Sequence, residues 1–66
     1  MENTRKFRKG QVRMINNGHP KEQGQWYVIL NVVGDQVGVD ILNLTTDEKD
    51  YWDIESENLH TDIVVM

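Results

Sequence analysis

Trp26-Tyr27-Val28-Ile29-Leu30-Asn31-Val32-Val33-Gly34-Asp35-Gln36-Val37-Gly38-Val39-Asp40-Ile41-Leu42-Asn43-Leu44 decides the fold. Its two halves are rich in β-branched and apolar residues, and Gly34-Asp35-Gln36 between them has the chemistry of a tight reversal. The stretch therefore predicts two antiparallel strands, over residues 26–33 and 37–44. In the first, Trp26, Val28, Leu30 and Val32 alternate with Tyr27, Ile29 and Val33, broken only by Asn31. A strand apolar on both faces bends and serves both sides of a small barrel. In the second, Val37, Val39 and Ile41 share a face until Leu42 and Leu44 take the other, which predicts a bulge or bend near Ile41 or Leu42.

Outward from this hairpin, the same reading gives three more short strands, over residues 11–16, 51–54 and 63–66. In Gln11-Val12-Arg13-Met14-Ile15-Asn16, Val12 and Met14 fall on one face and Arg13 and Ile15 on the other. Asn16-Asn17-Gly18-His19-Pro20-Lys21-Glu22-Gln23-Gly24 is a loop by its turn residues and is long for a hairpin, the kind of segment that often carries function. Thr45-Thr46-Asp47-Glu48-Lys49-Asp50 is the next turn, and the alternation after it turns Trp52 and Ile54 inward. Ser56-Glu57-Asn58-Leu59 predicts one helical turn capped by Ser56.

Composition agrees. The chain of 66 residues contains no alanine, and 17 residues are Val, Ile or Thr, which suit a pleated surface better than a helix. A domain this small buries only about 60% of the surface its unfolded chain exposes, so its stability is of the order of a few kcal/mol. With no cysteine there is no disulfide and no thiolate metal site, which fits a reducing, cytoplasmic setting. No stretch is apolar enough to span a membrane as a helix. The expected division is a flexible basic N-terminal segment over residues 1–8, with Phe7 as its anchor, and a single all-β domain over residues 9–66.

Lys9-Gly10-Gln11-Val12-Arg13-Met14-Ile15, Gly24-Gln25-Trp26-Tyr27-Val28-Ile29, Val37-Gly38-Val39-Asp40-Ile41 and Trp52-Asp53-Ile54 with Leu59 after them resemble the SH3-like superfamily, including its KOW branch. The resemblance spans about residues 9–65. It implies a five-stranded SH3-like barrel with one short helical turn before the last strand. The KOW branch implies contacts with RNA, the ribosome or a transcription complex, and the SH3 branch implies proline-rich peptides. The paired-tyrosine and proline elements of a proline-peptide groove are missing here.

Charge divides the chain. Residues 1–33 hold six Lys/Arg against two acids, and residues 34–66 hold one lysine against nine, for a net charge of −4. Part of that asymmetry is consumed by cross-strand pairing, and the rest makes a dipolar surface that steers a charged partner. No cluster has the spacing of a catalytic or metal motif. His19 and His60 lack a third ligand, and the acids at 47–53 lack the glycine and closing glutamate of a calcium loop. No metal, cofactor or enzymatic activity is expected. The aromatic pairs Trp26-Tyr27 and Tyr51-Trp52 remain as leads, because one member of each must point away from the other's face. With the tryptophans inside, the tyrosines are displayed. The expected function is non-enzymatic binding of a protein partner, as an accessory or inhibitory factor, through Tyr27, Asp47, Glu48, Asp50, Tyr51 and Asp53. The alternative is RNA or DNA binding through Arg5, Lys6, Arg8, Lys9, Arg13 and Lys21.

Overall fold

The computed structural model of the protein describes residues 6–66. It contains five strands, β1 (Val12–Met14), β2 (Trp26–Val33), β3 (Gly38–Asn43), β4 (Glu48–Asp53) and β5 (Ile63–Val64), with a 3₁₀ turn at Leu59–Thr61 before the last. All pairings are antiparallel, and the strand order is β4-β3-β2-β1-β5. The sheet is open: β4 and β5 are its two edges and do not pair with one another, so the expected closure into a barrel is not made. β1 and β5 share only two register pairs, Arg13↔Val64 and Met14↔Ile63, too short a ladder to carry the sheet round to β4. Side chains from outside the strands cover the core instead, namely Phe7, Ile15, Ile54 and Leu59 over Tyr27, Ile29, Val39 and Ile41.

In β4 Trp52 turns to the core side as expected, but in β1 and at the start of β2 the face that becomes core is not the one that Val12, Met14 and Trp26 suggest. Register places Arg13 opposite Tyr27, Tyr27 opposite Asn43, and Ile29 opposite Ile41, and all five side chains are buried. Val12, Met14, Trp26, Val28 and Leu42 share the other face, where Trp26 is 42% exposed. A bulge lies opposite Ile41, yet the extra residue, Leu30, belongs to β2, so β3 keeps its phase with Val39, Ile41 and Asn43 inward.

Two boundaries differ from the sequence reading for physical reasons. β4 begins at Glu48, three residues before the expected strand, because an edge strand with an exposed start needs no apolar residue there. The helical turn begins at Leu59 instead of Ser56. Asn58 precedes it in the left-handed conformation without a side-chain cap, while the Ser56 N–H donates to the Asp53 carboxylate at 2.9 Å.

The N-terminal segment is held at Phe7. Its ring is buried, its N–H donates to Gln36 Oε1 at 2.7 Å, and its carbonyl accepts from Gln36 Nε2 at 3.0 Å. Gln36 itself sits at φ 63°, a left-handed position that a non-glycine residue seldom takes. The two bonds to Phe7 give a reason for it.

Candidate functional site

On the core side of the β3–β4 ladder the cross-strand pairs run Val39↔Trp52, Ile41↔Asp50 and Asn43↔Glu48. The core gives out along this row, and the period of two carries Glu48 and Asp50 into the space between the hairpin and the long β1–β2 loop. A groove of about 340 Å³ results. Its apolar lining is Ile15, Ile41, Leu59 and Trp52; Glu22, Glu48, Asp50, Glu57 and the buried Asp62 line it with carboxyl groups, and among the described residues Lys21 is the one cation on it. The Trp52 ring stands edge-on to Tyr27 with centroids 5.1 Å apart, and its indole N–H donates to Asp50 Oδ2 at 3.2 Å.

The long loop is ordered by its own polar side chains. Asn17 Nδ2 donates to Glu22 Oε1 at 2.9 Å, the Gly18 N–H to Gln23 Oε1 at 2.8 Å, and Gln23 Nε2 to Asn16 Oδ1 at 3.1 Å. Asn43, buried at the end of β3, joins loop to hairpin: its Nδ2 donates to Gln25 Oε1 at 2.9 Å, and its Oδ1 accepts the Thr45 and Thr46 N–H groups. Two walls of the groove are thus tied through one side chain.

Beneath the groove lies a buried polar network. The Tyr27 hydroxyl donates to Asp62 Oδ2 at 2.6 Å, and the Asn16 N–H donates to Asp62 Oδ1 at 3.0 Å. Arg13, fully buried, donates from Nε to Gln11 Oε1 at 2.7 Å and from Nη1 to the Leu59 carbonyl at 3.5 Å, and its guanidinium lies 3.7 Å over the Phe7 ring. Burial pushes the Tyr27 hydroxyl far above its ordinary range, reinforced by its bond to Asp62. Burial also raises the Asp62 carboxyl, against the pull of Tyr27, Asn16 and the Arg13 charge. The guanidinium is lowered by the same loss of water, and the electrostatic influence of its neighbours Tyr27 and Asp62 opposes that shift.

The structure sorts the residues expected to bind a protein. Glu48 and Asp50 line the groove. Asp47 is exposed at the turn tip with φ 61°. Tyr51, 47% exposed, lies on the opposite face of β4, over Gly38, where an added Cβ would collide with its phenol ring. Asp53 caps the following turn by accepting the Ser56 and Glu55 N–H groups, and those bonds, Ser56 first, hold its carboxyl below the usual range. Tyr27 is not displayed: it is completely buried, because its face is the core face and Asp62 satisfies its hydroxyl.

The basic set is similarly divided. Arg5 lies outside the described residues. Lys6, Arg8 and Lys9 are exposed, and Arg8 borders a shallow depression with Gln11, Val64 and Met66. Lys21 stands on the acidic groove. Arg13 is interior and has no surface to offer a phosphate.

The sequence reading missed Trp52 as a groove residue, and Glu22 and Glu57 with it. For Trp52 the signal was present: Glu48, Asp50 and Trp52 alternate and must share a face. For Glu22 and Glu57 there was none, since only the fold brings them beside β4. Among the described residues no three metal-ligating side chains gather. His60 is spent against the Phe7 ring, edge-on at 5.3 Å. Compared with known proteins, the chain matches no family model, no curated protein and no solved structure, so the groove and its charges are the ground for a functional reading.

Proposed function

We propose that this protein is a non-enzymatic binding module that holds a protein partner in the groove between the β1–β2 loop and the β3–β4 hairpin. The observation that carries the reading is the groove's make-up, apolar side chains with Trp52 among them and, among the described residues, five acidic side chains against one lysine. Aromatic side chains set in a concave, partly dry surface are the usual anchors of a protein interface. Surrounding charge of one sign adds steering and selects the partner. The order of elements, a strand, a long loop, three meandering strands, a 3₁₀ turn and a last short strand, supports assigning the domain to the SH3-like class.

Nucleic acid binding is the weaker reading. With Arg13 buried, the cations available to phosphates among the described residues are Lys6, Arg8, Lys9, Lys21 and Lys49, and the last two stand among acids, Lys21 on the groove and Lys49 between Glu48 and Asp50. Such a surface releases few counterions, so binding at physiological salt is weak.

Affinity capture from lysate, with and without nuclease, separates the two. The expected result is a nuclease-resistant protein partner that the wild type retains and the Glu48→Lys/Glu57→Lys variant loses, with Arg8→Ala/Lys9→Ala retaining it. Capture that nuclease abolishes and that fails in the Arg8→Ala/Lys9→Ala variant would overturn the proposal in favour of nucleic acid.

A further inference from the structure

β4 is an open sheet edge, the place where an added strand from a partner would pair. The Ile54 N–H donates to the Val37 carbonyl at 3.0 Å, which sets the phase of the ladder. Antiparallel alternation then turns the backbones of Glu48, Asp50 and Trp52 toward β3, and those of Lys49, Tyr51 and Asp53 off the edge. The outward Tyr51 N–H is already taken, by Asp50 Oδ1 at 2.8 Å, while Asp50 Oδ2 holds the Trp52 indole. The middle of the edge therefore has no free donor for an incoming strand. This disfavours an added strand at that point and favours a partner that reaches the groove through its side chains.

The groove's charge selects which side chain. Glu48 and Glu57 line it without a hydrogen bond or ion pair from any described residue, and the half-buried Trp52 ring lines the same groove. Unpaired carboxylates against an apolar wall focus a negative potential. A guanidinium suits this mixture better than an ammonium, because it stacks on an indole and forks to a carboxylate while giving up less hydration. We infer that the occupant of the groove is an arginine side chain on an extended segment of the partner, stacked on Trp52 and paired with Glu48 and Glu57. This rests on the proposed groove-binding function and adds the chemistry it recognises.

The test uses Trp52 fluorescence in a Trp26→Phe background, titrated with a capped eight-residue peptide of alternating glycine and arginine, its lysine counterpart, and spermidine. The arginine peptide is expected to bind saturably and about three- to tenfold tighter than the lysine peptide. Glu48→Gln/Glu57→Gln is expected to weaken it about tenfold, with backbone amide shifts at the groove and not along the edge. Equal binding of the lysine peptide or spermidine would overturn the inference, as would shifts centred on Lys49, Tyr51 and Asp53. If the partner is captured in a groove-dependent way and no arginine peptide binds, this inference falls and the proposed function stands. Capture indifferent to Glu48→Lys/Glu57→Lys removes both.

Discussion

Trp26-Tyr27 in β2 and Tyr51-Trp52 in β4 are the same two side chains in opposite orders, and the sheet turns the tyrosine inward in the first and outward in the second. Tyr27 and Trp52 meet edge to face inside, while Trp26 and Tyr51 stand outside. Size does not decide this, because the larger ring is buried in one pair only. Each inner ring is one whose polar tip has a partner: the Tyr27 hydroxyl reaches Asp62 in the interior, and the Trp52 indole reaches Asp50 where the core opens to the groove. Burying an aromatic with a polar tip is favourable when that tip is satisfied and costly when it is not.

The comparison is broken most severely at Asp62. Asp62→Ala removes the acceptor of Tyr27 and the carboxylate whose charge acts on buried Arg13. The expected loss is about 3–5 kcal/mol, enough to unfold a domain of this size. A cooperative, native-like urea transition for that variant would show that the tyrosine's orientation does not depend on the network.

Tyr27→Phe keeps the ring and deletes only the tip, leaving one Asp62 oxygen short of a donor, and is expected to cost about 1–3 kcal/mol. Trp26→Phe, on the exposed face, is expected to change stability by less than about 0.5 kcal/mol. Equal effects in chemical denaturation would erase the distinction between the pairs. On the outer side, Gly38→Ala intrudes on the Tyr51 ring and is expected to cost about 1 kcal/mol. Its effect should vanish in a Tyr51→Ala background, a double-mutant cycle that tests whether the outer tyrosine is packed or merely displayed.

The smallest effect is in pH. Asp53 is held below its usual value by turn N–H groups, so its contribution is present above about pH 3.9 and is lost as pH falls toward its folded value. Asp62 is raised by burial and has the opposite sign: stability from this group is greatest below about pH 3.9 and declines as pH rises through its folded value. Between pH 7 and pH 3, Asp53→Asn should therefore lose less in melting temperature than the wild type. A larger loss in the variant would contradict the capping role.

The five strands, the long loop and the late helical turn were all legible in short apolar runs separated by turn residues, with errors of a few residues at their ends. The inward face was not. Val12 and Met14 look more like core than Arg13 and Ile15, and Asp62, Gln11, Leu59 and Phe7 are among the partners that make Arg13 acceptable inside. The hydrogen bond that licenses Tyr27 spans 35 residues, and no local pattern announces a partner at that distance. The groove was half legible for the same reason: β4 supplies its acids by simple alternation, whereas Glu22 and Glu57 arrive by tertiary folding.

Asp62 also bears on the order in which the molecule assembles. The β2–β3 and β3–β4 hairpins close through turns at residues 34–37 and 44–47, whereas Asp62 joins Tyr27 across 35 residues and Asn16 across 46. Short loops close in well under a microsecond, and long-range contacts repay their closure entropy only after the intervening chain is ordered. On this ground the hairpins are expected to form the nucleus, with Asp62 latching the finished sheet. A milder replacement there, Asp62→Asn, should accelerate unfolding while leaving the refolding rate nearly unchanged, a φ-value near zero, whereas Ile41→Val in the central hairpin should slow refolding.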